Sequence, residues 1–84
     1  MIIYHHQNFK RSYRALPLAV QKKAERKESI FRNNPFDQRL KTHKLHGNIA
    51  HLWSFSVDKK FRIIFEFDDT DVIFLEVGSH DIYR

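Results

Sequence analysis

Residues 53–77 read WSFSVDKKFRIIFEFDDTDVIFLEV, and this stretch decides the fold. Trp53, Phe55 and Val57 alternate with Leu52, Ser54 and Ser56. Phe61, Ile63, Phe65 and Phe67 alternate with Arg62, Ile64 and Glu66. Ile73, Leu75 and Val77 alternate with Phe74 and Glu76. A period of two with one apolar face predicts a β-strand. Asp58-Lys59-Lys60 and the tip Asp68-Asp69-Thr70-Asp71 carry turn chemistry. Three antiparallel strands in a meander follow. Their helix-covered face should hold Trp53, Phe55, Ile63 and Phe65. The opposite face should show Ser54, Ser56, Arg62, Ile64, Phe74 and Glu76, a mixed surface that needs a partner or ligand.

Upstream the period changes. Phe9, Tyr13 and Leu16 share one face of a helix. Pro17 interrupts, and proline suits the first turn of a second helix. Val20, Ala24, Ile30 and Phe31 give that helix a narrow apolar stripe, and Asn33-Asn34-Pro35 ends it. A short connection predicts an antiparallel helical hairpin. Ile2–Tyr4 reads as a first strand, placed at an edge or in the middle of the sheet. Residues 35–48 lose periodicity and read as a loop, the place where small domains keep binding groups. The order is β-α-α-β-β-β, an α+β fold with a helical hairpin packed on a small antiparallel sheet. No repeat or linker divides it, so residues 1–84 form one domain.

Composition sets the outer bounds. The chain has 84 residues and no cysteine, which excludes disulfides and thiolate chemistry and fits a reducing cytoplasm. Its apolar runs are too short to span a bilayer. Met1–His6 lacks the basic-then-apolar pattern of an export signal. The net charge of +5 is divided unevenly: residues 1–44 hold 11 Lys/Arg against three acids, and residues 45–84 hold four against seven. Such a split points to a polyanionic partner on one side, or to a lysine-rich solvated helix surface.

Four segments carry a resemblance. They are Lys-Thr-His-Lys-Leu-His-Gly at 41–47, Trp-Ser-Phe-Ser-Val-Asp at 53–58, Phe-Arg-Ile-Ile-Phe-Glu-Phe at 61–67 and Val-Gly-Ser-His-Asp-Ile-Tyr at 77–83. In this order and length the chain resembles the RelE/ParE superfamily of type II toxin–antitoxin toxins. The resemblance implies a toxin neutralised by a cognate antitoxin. It implies either a ribosome-dependent mRNA endoribonuclease, as in the RelE branch, or a DNA gyrase inhibitor, as in the ParE branch. The YafQ group is similar at its ends, where His43 and His80 match histidines that act in cleavage. Ser56 stands where that group has a further catalytic histidine, and Lys60-Phe61 where it has Asp-Trp. These departures keep open a third reading, a non-catalytic member that only binds its antitoxin.

Metal-independent RNA cleavage needs a base for the 2′-OH, an acid for the leaving 5′-oxygen and a cation for the phosphate. Histidine titrates near neutrality and suits the first two roles. Arginine suits the third through its planar fork. His80 is the candidate acid, with an exposed terminal histidine as the alternative. His43 is the candidate base or positioning group, or else a loop histidine on a strand edge. Arg62 is assigned the phosphate, or else an ion pair with Glu66 or Glu76. Lys41, Lys44, His46 and Lys60 are candidate contacts to rRNA or mRNA phosphates, though each taken singly reads more readily as solvated charge. Tyr83 stacks on a base or packs on the sheet. Trp53 reads as core. His5-His6 and His43-x-x-His46 lack a third ligand at fixed spacing, so no metal and no cofactor are assigned. The expected partners are the antitoxin, the ribosome and mRNA. The antitoxin is expected to wrap as an acidic segment over the basic helix surface and the open face.

Overall fold

The computed structural model describes residues 1–79; His80 and Tyr83, both singled out above, lie outside the described residues. β1 (Ile3–His5) leads into α1 (Gln7–Arg14) and α2 (Leu18–Asn33). Then come β2 (His43–Lys44), β3 (Trp53–Ser56), β4 (Phe61–Asp68) and β5 (Asp71–Ser79), with 3-10 turns at Gln38–Leu40 and Gly47–Ile49. The sheet order is β1-β5-β4-β3-β2. β1 lies at the edge and pairs parallel to β5, and the other pairs are antiparallel. The sheet is therefore mixed rather than wholly antiparallel, because α1 and α2 carry the chain back across it before the meander begins.

The helices form the expected antiparallel hairpin. His6 caps α1 by accepting the Asn8 N–H on its ring Nδ1 at 3.0 Å. Pro17 occupies the cap position of α2, one residue ahead of its first turn. Gln21 Nε2 donates to the carbonyls of Tyr13 and Leu16 at 3.2 and 3.1 Å, joining the Leu16 N–H on the first and tying the end of α1 to α2. Tyr13 donates its hydroxyl to Glu25 at 2.7 Å, and His5 Nε2 lies 3.2 Å from Glu28 at the other end of the hairpin. Burial first, then the bond to Glu25, pushes the Tyr13 phenol up to about 12.

α2 packs its apolar stripe onto the sheet through Phe31. This ring is fully buried and meets Phe55, Phe65 and Phe74 at centroid distances of 4.9, 5.0 and 5.3 Å. Val20 and Ala24 complete the stripe, and Trp53 packs against the same core, as expected of it. α1 takes over the edge of β5 where β1 stops. The His6 N–H donates to Phe74 O at 2.9 Å, and the Val77 N–H donates to Ser12 Oγ at 3.1 Å. One acceptor and one donor of an otherwise open strand edge are thereby satisfied.

Two expectations change, one about a face and one about a loop. Phe74 belongs to the core and not to the opposite face, with Val72 and Val77 beside it. The reason is a bulge. Ile64 pairs with Glu76 and Phe65 with Phe74, so Leu75 is an extra residue on β5. The bulge shifts the alternation by one. Ile73 leaves the core face, and Leu75 lines a cavity with Ile64 and Glu76. The second change concerns residues 35–48, read above as a loop. They contain β2, which pairs His43 with Ser54 and Lys44 with Trp53.

Candidate active site

The register of the sheet decides which candidates meet. Paired residues on neighbouring strands project to the same side. One row on the face away from α2 is His43, Ser54, Ile64 and Glu76; the next is Ser56, Arg62 and Gly78. His43 and Arg62 therefore share that face. Their Cα atoms are two strand spacings and two residues apart, about 12 Å from standard sheet dimensions. That separation suits two groups reaching one phosphodiester from opposite sides. β5 ends at Ser79 opposite Phe61. His80, the candidate acid, lies outside the described residues.

His43 is exposed at the β2 edge, and its Nδ1 lies 3.0 Å from the Lys41 carbonyl. A carbonyl only accepts, so Nδ1 is the donor. In the neutral ring the proton then sits on Nδ1 and the Nε2 lone pair faces outward. That is the tautomer a general base requires. Lys41 presents its carbonyl from a left-handed conformation, φ 51°. The preceding 3-10 turn positions it, because Asp37 caps that turn by accepting the Arg39 N–H at 2.9 Å.

Arg62 is half-buried and anchored. Its Nη1 donates to Ser56 Oγ at 3.1 Å, to Phe61 O at 3.1 Å and to the Asp58 carbonyl. Ser56 Oγ in turn donates to Asp58 O at 2.7 Å. The ion pair with Glu66 or Glu76 considered above is not found among the described residues. The guanidinium instead closes the β3–β4 turn. Asp58 holds the turn from the other side, accepting the N–H groups of Lys60 and Phe61 on Oδ1, each at 2.8 Å. Its Oδ2 lies 3.6 Å from Lys23 Nζ on α2. Burial raises the Asp58 carboxyl, but these two N–H groups and Lys23 outweigh it and hold it below the ordinary value.

The remaining candidates are dispersed. Lys44 pairs with Trp53 and so lies on the helix side of the sheet, away from His43. Lys41 and His46 are exposed on either side of β2. Lys60 reaches over the Phe61 ring, with Nζ 5.3 Å from its centroid. The Ser56–Arg62–Asp58 network escaped the sequence reading. The signal available was the Asp at the head of a hairpin turn, the usual place for a side chain that caps backbone N–H groups.

No protein-family model and no curated protein sequence matches the chain. Solved structures do. The YoeB/ParE toxin from Agrobacterium tumefaciens superposes with a TM-score of 0.80 at 15% identity, over 95% of this chain and 99% of that one. YafQ in the E. coli DinJ-YafQ toxin-antitoxin complex superposes at 0.72 and 17%, over 95% and 92%. A chain of the archaeal RelE-RelB complex from Pyrococcus horikoshii OT3 superposes at 0.72 and 17%, over 93% and 92%. The identities are low and the coverage is nearly complete. This chain has the fold of the RelE/ParE superfamily of toxins.

Proposed function

We propose that this protein is the toxin of a type II toxin–antitoxin pair and that it cleaves mRNA on the ribosome without a metal. The observation that carries the reading is that His43 and Arg62 share one sheet face, about 12 Å apart. That face carries an imidazole with an outward lone pair and an anchored guanidinium. His43 takes the 2′-OH proton, Arg62 neutralises the phosphate as its charge grows, and His80 protonates the leaving 5′-oxygen. Lys41, His46 and Lys60 hold flanking phosphates and Tyr83 holds a base, while Lys44, on the helix side of the sheet, is left out of the site. Solved structures of this fold in toxin–antitoxin complexes support an antitoxin as partner.

Cell-free translation with primer extension on the message tests the reading. Codon-phased stops that depend on ribosomes are expected. A supercoiling assay with purified gyrase covers the other branch, and inhibition there without any message cleavage would replace nuclease with gyrase poison. One observation favours a non-catalytic binder. Ser56 offers no imidazole where YafQ-like enzymes have one, and its hydroxyl is used in the turn. Overexpression that is harmless without antitoxin, together with a cleavage-free message, selects that reading.

A further inference from the structure

A depression lies on the same sheet face, at the far end of the His43 row. It encloses about 240 Å³ and is lined by His6, Asn8, Leu52, Ile64, Leu75 and Glu76. Leu52, Ile64 and Leu75 come from three different stretches of chain and make an apolar floor. The β5 bulge is what turns Leu75 into it. Polar groups stand only at the rim. Such a site, apolar with a few placed polar groups, suits a flat heteroaromatic ligand.

The rim has a defined hydrogen-bond pattern. His6 is tied to β5 by its N–H to Phe74 O at 2.9 Å, two residues before Glu76. Its ring Nδ1 accepts the Asn8 N–H at 3.0 Å. The neutral ring therefore carries its proton on Nε2 and donates from there. This is the opposite tautomer from His43. Glu76 contributes a carboxylate with two acceptor oxygens, and no bond of it to a described residue competes for them. The rim thus offers a pair of acceptors and one donor.

Among nucleobases, guanine presents the complement. Its N1–H and N2–H are adjacent donors, and O6 beside them is an acceptor. Adenine and cytosine each place one donor next to one acceptor, and uracil has a single ring donor between two carbonyls. Each of these three bases can pair with one carboxylate oxygen and the N–H donor but leaves the second carboxylate oxygen without a donor, whereas guanine fills all three positions. We infer that this depression is a guanine-reading pocket for single-stranded RNA, with Glu76 on the N1/N2 edge and His6 Nε2 on O6. The inference rests on the endoribonuclease reading of the same face. Glu76 is three strand spacings from His43 along their shared row, about 14 Å. The guanine read is therefore a neighbour of the cut phosphate and not the attacked nucleotide itself. Asn8 supplies an amide able to serve either donor or acceptor.

The test uses isolated protein and uridine hexamers with a single central guanine, adenine or cytosine. Methyl NMR reads Leu52, Ile64 and Leu75 while RNA is titrated. Guanine hexamers should bind on the order of tenfold more tightly than the others and shift those methyls, as a carboxylate contact to one base edge discriminates by about that factor. Glu76→Gln, which exchanges one acceptor for a donor, should erase the preference with the fold intact by circular dichroism. Equal affinity for all hexamers, or guanine preference that leaves the three methyls unmoved, overturns the pocket. A second arm maps cut sites on translated messages. Cuts with no guanine at a fixed offset sink the pocket and leave the nuclease standing. Guanine-selective shifts without any message cleavage sink the nuclease and leave the pocket.

Discussion

The imidazole of His43 donates from Nδ1 to the main-chain carbonyl of Lys41, two residues earlier, at 3.0 Å. Lys41 offers that carbonyl because its backbone turns through φ 51° between a 3-10 turn and β2. A strained residue thus orients the candidate base.

Side-chain choice at position 41 should therefore move both stability and His43. A β-branched residue resists positive φ and glycine accepts it. Lys41→Val should lose about 1–2 kcal/mol against Lys41→Gly. Urea unfolding of the two variants, both without the lysine charge, measures the difference. The His43 ring resonances should move further in the valine variant than in the glycine variant.

Arg62 has two duties, in the turn and on the open face. Arg62→Ala removes three hydrogen bonds from one donor nitrogen, so the β3–β4 turn should lose about 1–3 kcal/mol. Arg62→Lys keeps the charge and loses the planar fork. It should recover less than half of the lost stability and little of the cleavage rate. Full activity in the lysine variant would reduce Arg62 to a diffuse positive charge.

The Tyr13–Glu25 bond sets a pH limit at the alkaline end. The folded phenol is raised to about 12 from 10.0, so the native state holds the proton more tightly than the unfolded chain. The stabilisation is fully present below pH 10 and is lost as pH rises towards 12. Ultraviolet titration of wild type against Tyr13→Phe should show one phenol titrating near pH 12, and the variant should lack it. Unfolding midpoints of the two proteins should converge across that same window.

One ring of α2 ties the helix to the aromatic core of the sheet. Phe31 touches Phe55, Phe65 and Phe74 and has no exposed surface. Phe31→Ala removes a whole ring from between α2 and the sheet, at a cost of about 3–5 kcal/mol. For a domain of this size that approaches total stability, about 4–13 kcal/mol. Chemical denaturation should show either a molecule largely unfolded without denaturant or a midpoint lowered by more than half.

Much of this architecture is legible in the chain. The alternation through Trp53–Ser56 and Phe61–Glu66 places β3 and β4 on their correct faces, and the spacing of Val20, Ala24 and Phe31 places α2. The phase of β5 is not legible, because Ile73, Phe74 and Leu75 are all apolar and a one-residue insertion leaves no mark in such a run. β2 escapes because two residues carry no period. His43 and Arg62 can be put on one face only once β2 is seen to pair with β3. The anchoring of Arg62 escapes for another reason. Its partners are the Asp58 and Phe61 carbonyls and the Ser56 hydroxyl, and main-chain acceptors have no signature in side-chain pattern.

The role of His43 as base on the face it shares with Arg62 is tested most directly by the single-turnover rate of message cleavage on programmed ribosomes, His43→Ala against wild type. The ring is exposed, so its removal should leave the fold intact by circular dichroism. Loss of a general base should slow cleavage by about a hundredfold or more. A His43→Ala protein that cuts at the wild-type rate would contradict the account.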